Sequence, residues 1–321
     1  MLKIFTLKEK VRFSSEMIIL FGLLDTLPNE PLHCYNFDNV SRYGDVVNWC
    51  KTHIEYVDDI KTADIVVLPF KFNGIHNSIF KLLSNLTKQL DKKLWCFYND
   101  DDDTSYVLEE HVVLFRTSFY KSSKNKNEQG LIAFSADFYR QKQSASVSIG
   151  YCGYYIARNS RFPGGIFNAR APYLTYLQQC KVTNNFILRQ GFWALGIDKR
   201  QAQQEYFENI ENNIFTFCMR GAGNFSYRFY ETLMMGRIPI FIDTDCVLPF
   251  EELINLSDVG LFLKDEDIKT GKVNLEQEIL KYIQNNKHRL TEIQKQNRLL
   301  WEKFYSPVGF LNTLINTEKI Q

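Results

Sequence analysis

Nowhere in the 321 residues do two cysteines form a CxxC pair. The seven cysteines stand singly and are odd in number, which argues against a disulfide framework and a zinc site and suits a reducing compartment. Net charge is lacking too: 38 Lys and Arg against 37 Asp and Glu leave +1. Nothing therefore draws the whole chain to nucleic acid or an anionic membrane, and any anion site must be local. The longest apolar run near the N-terminus, residues 17–24 (MIILFGLL), falls far short of the ~20 residues of a membrane helix. It also starts too deep, and without a small-residue cleavage pattern, for a signal peptide. The expectation is a cytoplasmic protein with no transmembrane segment and no nucleic-acid partner. Fixed-period repeats and long Pro, Gly or Ser linkers are absent as well.

What is present is an ordinary globular composition, 45% hydrophobic and 23% charged, in a chain long enough for two domains of about 150 residues. Short apolar runs alternate with helical periodicity. Residues 17–24, 65–70 (IVVLPF), 94–98 (LWCFY) and 112–116 (VVLFR) read as buried strands, with an amphipathic helix over 77–90. After a polar stretch the alternation resumes, with strands over 147–151, 185–188, 215–218 and 238–242 and a helical segment over 275–304. Such alternation implies parallel sheets covered by helices. The division expected is 1–143 and 144–321, two α/β domains, with ligands beyond the carboxyl ends of the strands.

One stretch stands out: CMRGAGNFSYRFYETLMMGRIPIFIDTD, residues 218–245. A strand runs into Arg220, Gly221, Ala222, Gly223, Asn224, Phe225 and Ser226, where two glycines allow a sharp turn and close approach of a ligand to bare N–H groups. Asn224 or Ser226 can cap the helix that follows, and Gly236 can stop it. The helix N-terminus suits phosphate, and Arg220 adds a forked cation. The spacing puts Phe225, Phe229 and Leu233 on a buried stripe, with Tyr227, Arg228 and Glu231 on the polar side. A carboxylate there suits the paired hydroxyls of a ribose. Singly, Arg228 and Glu231 could be a surface ion pair and Arg220 an ordinary surface arginine. Their coincidence on one strand–turn–helix unit points to a nucleoside diphosphate pocket.

Two rivals fit the same residues. Gly221-x-Gly223-x-x-Ser226 with Asp243 nearly satisfies a dinucleotide fingerprint, as in an oxidoreductase, though serine replaces the third glycine. Asp243-Thr244-Asp245 is an Asp-x-Asp at a strand end, a pattern that can hold a divalent metal, but short carboxylate pairs are common in turns.

The segment 220–253 (RGAGNFSYRFYETLMMGRIPIFIDTDCVLPFEEL) resembles the signature of the exostosin-like glycosyltransferases. These carry an Arg-Gly turn, a Ser-x-Arg-x-x-Glu helix, a Gly-x-Ile-Pro strand and a Leu-Pro-Phe turn. TADIVVLPF (62–70) and VSIGYCGYY (147–155) resemble further family elements in the same order. The resemblance implies a GT-B fold of two facing Rossmann-like domains, a nucleotide-sugar such as a UDP- or GDP-sugar in the C-terminal one, a carbohydrate acceptor in the N-terminal one, and inversion at the anomeric carbon. It implies that Arg220 and Ser226 hold the diphosphate with help from Arg228, and that Glu231 holds the ribose. Many eukaryotic members begin with a Golgi anchor, which has no counterpart in the first residues here. A non-catalytic carbohydrate-binding protein of the same fold is the remaining alternative.

Transfer with inversion needs a stabilised leaving diphosphate and a base. The helix end and Arg220 supply the first, so no metal and no cofactor is expected. Asp100 and Asp101, in the Asp100–Asp103 run, are candidate bases. A solvated turn capping a helix over 106–110 is the blander reading of that run, and a metal site the third. Gly153, beside Gly150, Tyr151, Tyr154 and Tyr155, could face base or sugar, or the tyrosines could pack in the core. Arg158, Arg161 and Arg189 follow or end strands near the same cleft, with Arg189 the preferred second phosphate cation.

Overall fold

The computed structural model describes residues 1–24, 43, 45–140, 145–155, 170–191 and 196–318. Within them lie two parallel sheets. The first contains β1 (Leu2–Phe5), β2 (Ile54–Tyr56), β3 (Ile65–Val67), β4 (Lys93–Tyr98), β5 (Val112–Arg116) and β6 (Glu128–Gly130), in the order β2-β1-β3-β4-β5-β6. The second contains β7 (Ser146–Tyr154), β8 (Asn184–Arg189), β9 (Asn213–Met219), β10 (Ile238–Asp243) and β11 (Leu261–Lys264), in the order β11-β10-β9-β7-β8. Every neighbouring pair in both is parallel. Helices α1 (Val46–His53) and α2 (Ser78–Gln89) accompany the first sheet. The second has α3 (Arg170–Gln178), α4 (Lys199–Asn212), α5 (Tyr227–Met234), α6 (Leu256–Val259), α7 (Asp265–Lys269), α8 (Leu275–Asn286) and α9 (Leu290–Leu300), and α10 (Pro307–Glu318) ends the chain.

The central strands form in mostly apolar stretches without alternation. All residues of β5 and of β9 are buried, as strands must be when helices cover both faces of a parallel sheet. Helix α2 starts where Asn77 Oδ1 accepts the Ile79 and Phe80 N–H groups, at 2.9 and 3.1 Å, and it buries Phe80 and Leu83. One apolar cluster joins Phe97 and Phe115 of the first sheet to Phe229 and Leu233 of α5 and to Phe310, Leu311 and Leu314 of α10. The last helix thus returns to the first sheet. Phe310 meets Phe134 with ring centroids 5.7 Å apart, and Asn312 accepts a hydrogen bond from Trp49 Nε1 at 3.1 Å.

Because each sheet is parallel, its carboxyl ends share one edge. Residues following β4 and β5 meet residues following β9 and β10, and Tyr120 forms an antiparallel bridge with Cys246. The result is a GT-B-like α/β fold in which the two carboxyl edges face each other.

Some expectations need correction. Residues 17–24 are not a strand: Ile18–Leu23 is 3-10 helical, with Ile18, Ile19, Leu20 and Phe21 all buried. A short run apolar on every side signals burial without naming the backbone form. The strand Leu2–Phe5 and the edge strand Ile54–Tyr56 were not anticipated. No helix forms over 106–110. There the Arg116 guanidinium donates to the carbonyls of Thr104 and Asp102, both at 2.7 Å. The helical segment 275–304 is present as α8 and α9, followed by a π turn over Trp301–Tyr305. The expected division at 143/144 falls in residues 141–144, outside those described.

Candidate functional site

Strand β9 leads into the glycine turn and α5, as its sequence predicts. Ser226 takes the N-cap position, though its hydroxyl makes no capping bond, and Gly236 ends the helix in the left-handed region at φ 60°. What differs is the environment. Arg228 and Glu231 are not on an exposed polar face; they are 7% and 8% exposed. Helix α4 and β7 cover that side. Tyr206 of α4 donates from its hydroxyl to Glu231 Oε2. Arg228 Nη2 donates to the Cys152 carbonyl at 2.7 Å, and its guanidinium lies 4.1 Å from the Tyr151 ring centroid and 5.3 Å from that of Tyr206. These contacts rule out a surface ion pair.

Gly153, at φ 149°, lets Arg228 in: a Cβ there would stand 3.0 Å from Arg228 Nη2. Arg170, which sequence reasoning missed, opens α3 and clamps the same strand ends. Its Nε donates to the Arg220 carbonyl at 2.9 Å and its Nη2 to the Met219 carbonyl at 3.2 Å. A Cβ on Gly221 would lie 3.2 Å from Arg170 Nη2. Nothing in the sequence around Arg170 marks it, since the contact comes from a crossover of many residues. Three guanidiniums thus converge in a chain whose net charge is +1. Burial pushes the Tyr151 phenol up, but the Arg170 and Arg228 charges outweigh it and its pKa is lowered. Tyr206, beside Glu231, is pushed far the other way, first by burial.

Several buried polar groups at this corner have no hydrogen-bond partner among the described residues, the Ser226 hydroxyl, Arg220 Nε and Arg228 Nε, a lack that Nε of Arg116 and of Arg189 share. Buried polar groups in native proteins are almost always satisfied. Arg220 also reaches across to the first sheet's side, with Nη1 donating to the Tyr120 hydroxyl at 2.8 Å and Nη2 lying 3.9 Å from Asp103 Oδ2. Asn224 is fully buried. Its N–H donates to Ser118 Oγ at 2.9 Å, its Nδ2 to the Phe119 carbonyl at 3.0 Å, and its Oδ1 accepts from Thr244 at 2.7 Å.

The acidic run after β4 arrives at this turn. Asp100 forms an ion pair with Lys71 at 2.6 Å, and Asp101 Oδ1 accepts the Gly223 N–H at 3.1 Å. A Cβ on Gly223 would fall 2.8 Å from Asp101 Cα, so only glycine allows this approach. Withdrawal from water raises the Asp101 pKa, reinforced by Asp100 and opposed by the Gly223 N–H and Arg220. Not every expected residue joins the group. Arg189 is held on α4, its Nη2 donating to the Ala202 carbonyl and to Glu205, both at 2.9 Å. Arg158 and Arg161 lie outside the described residues. Asp243 and Asp245 face Lys121 and Ser122: Lys121 Nζ is 3.8 Å from Asp243, and Asp245 Oδ2 accepts the Ser122 N–H at 3.0 Å. The Asp-x-Asp pair therefore ties the two halves together.

Fold and site define a two-sheet α/β protein with an arginine-lined turn at the mouth of the second sheet. Residues 117–282, just over half of the chain, match the exostosin GT47 domain, and the chain belongs to the exostosin GT47 family of glycosyltransferases. It is similar to a "Probable glucuronosyltransferase" of Oryza sativa subsp. japonica, 35% identical over 63 residues, 20% of this chain and 15% of that protein. It is also similar to a "Probable beta-1,4-xylosyltransferase" of Arabidopsis thaliana, 36% identical over 63 residues, with the same shares. The aligned part thus spans about 15% of these relatives' length. No helix among the described residues is long and apolar enough to cross a membrane.

Proposed function

We propose that this protein transfers a sugar from a nucleoside diphosphate sugar, a UDP- or GDP-sugar, to a hydroxyl of a carbohydrate acceptor, with inversion and with protein groups rather than a metal stabilising the leaving diphosphate. The observation that carries this reading is the buried Ser226 hydroxyl at the start of α5, beside the buried Arg220 and Arg228 guanidiniums, whose Nε donors like that hydroxyl have no partner among the described residues. Leaving such groups unmade costs about 1–3 kcal/mol each, and phosphate oxygens are the acceptors that fit guanidinium and hydroxyl together. In this reading Arg220, Arg228 and Ser226 hold the diphosphate. Gly221 and Gly223 allow it close to the backbone, and Glu231, braced by Tyr206, takes the ribose hydroxyls.

The chemistry follows from that placement. The acceptor oxygen bonds to the anomeric carbon as the bond to the β-phosphate oxygen breaks, and the electron pair leaves on the diphosphate, where fixed positive charge is worth most. The acceptor's proton passes to a carboxylate of the loop after β4, where Asp100 and Asp101 stand. The "Probable glucuronosyltransferase" and "Probable beta-1,4-xylosyltransferase" relatives support sugar transfer as the reaction class. A thermal-shift series tests the proposal: UDP or GDP should raise the melting temperature with EDTA present. Stabilisation by NAD or NADP alone, or by no nucleotide at all, would sink it.

A further inference from the structure

We infer that the Asp101 carboxylate is a built-in stand-in for the donor's diphosphate, occupying the anion seat at the Gly223 amide until the donor displaces it. The inference rests on the glycosyl-transfer reading above and adds to it a competition between the protein's own carboxylate and its substrate. Three observations carry it. Asp101 Oδ1 accepts the Gly223 N–H at 3.1 Å, so an acidic group from the opposite sheet already holds one amide of the turn that the reading assigns to phosphate. The fit is close, since a single carbon on Gly223 would collide with Asp101. Finally, the neighbouring Ser226 hydroxyl and Arg220 Nε have no partners among the described residues, so one carboxylate fills only part of a seat built for more oxygens.

The loop is made so that the side chain can leave without it. Thr117 Oγ1 accepts the Asp100 N–H at 3.2 Å, Ser118 Oγ donates to the Asp101 carbonyl at 3.2 Å, and Arg116 Nη2 donates to the Asp102 carbonyl at 2.7 Å. With the backbone pinned at three successive residues, release requires only a turn of the Asp101 side chain. The raised Asp101 pKa agrees: withdrawal from water outweighs the help from Gly223 and Arg220, so the charged form is held at a net cost. A doubly charged ligand with more oxygens displaces it. Asp101 thereby keeps the turn ordered and the arginines in place when no donor is bound, and it raises the threshold for weakly charged anions.

The test is titration calorimetry of the full chain with UDP and with inorganic pyrophosphate, comparing wild type, Asp101→Asn, Asp101→Ala and the control Asp103→Asn. Asp103 carries the same charge near Arg220 but does not touch the amide. Asp101→Ala, which vacates the amide, should bind about tenfold tighter, the scale of one hydrogen bond to a charged group, and Asp101→Asn, whose amide oxygen can still accept the Gly223 N–H, should gain less, while Asp103→Asn stays within about twofold. Equal or weaker binding by both Asp101 variants overturns the inference, as does an equal gain in Asp103→Asn, which would reduce the effect to bulk charge. In those cases wild-type binding still stands and so does the proposed function. Absence of binding in all four proteins overturns both.

Discussion

Two buried arginines at the carboxyl edges of the two sheets show how differently the same side chain can be used. Arg116, at the end of β5, is 1% exposed and pairs with Glu128 at 2.9 Å while its fork takes two backbone carbonyls. Arg228, on α5, is 7% exposed, and among the described residues no carboxylate forms an ion pair with it; a carbonyl and two tyrosine rings contact it, and the Glu231 charge acts on it from the same helix. A buried charge matched by its opposite is a structural fixture. One left to aromatic faces and a dipole can serve a ligand, the role proposed above for Arg228. The contrast extends to the edges themselves: the first presents Asp100 to Asp103 and the second Arg170, Arg220 and Arg228, so the halves attract where the donor is proposed to sit.

The comparison breaks most sharply under truncation. Glu128→Ala strands the Arg116 charge in the core and should cost about 3–5 kcal/mol of folding stability. Arg228→Met should lose much less stability but weaken UDP or GDP binding by roughly thirtyfold, about 2 kcal/mol for bonds to a charged group. Urea melts and calorimetry on the two variants check this. Equal destabilisation with unchanged nucleotide binding would place both arginines in the structural class.

Glu231→Ala sharpens the second half of the contrast. Because Glu231 is buried and accepts the Tyr206 hydroxyl, the variant leaves a buried donor unmade and should lose about 1–3 kcal/mol of stability as well as nucleotide affinity. Glu231→Gln keeps an acceptor for Tyr206 and separates the two effects. A Glu231→Ala protein that melts like wild type would show the tyrosine contact to be dispensable.

The smallest expected effect lies on the first sheet's side, at Glu16. Burial raises its pKa, opposed by its own backbone, Lys71 and the neighbouring serines. The folded protein therefore holds this proton more firmly than the unfolded chain, and stability falls as pH climbs through the elevated range. Glu16→Gln should melt higher than wild type at pH 7.5, with the gap closing towards pH 4. A gap independent of pH would mean that Glu16 is not a buried carboxyl of this kind.

Much of this was legible in the chain. The mostly apolar runs at 112–116 and 215–218 and the glycine after Met235 mark strands and a helix end by local chemistry alone. The turn 220–226 could be read as a candidate anion site because its glycines, arginine and serine are neighbours in sequence. Arg170 and Tyr206 could not be read, since each reaches the site from another element, and periodicity on α5 misplaced Arg228 and Glu231 because it reports spacing and not what covers each side. The 3-10 run at 18–23 was hidden for a related reason: apolar on every side, it carries no period to read.

Residue order alone settled the alternation of strand and helix, the parallel sheets and the strand–turn–helix at Ser226, since propensity, capping and glycine freedom act over a few residues. Which arginines are neutralised, which carboxylate meets the Gly223 amide and which face of α5 is covered were decided by packing. Those outcomes depend on dielectric and distance between residues more than one hundred positions apart, such as Asp101 and Gly223, and no local pattern encodes them.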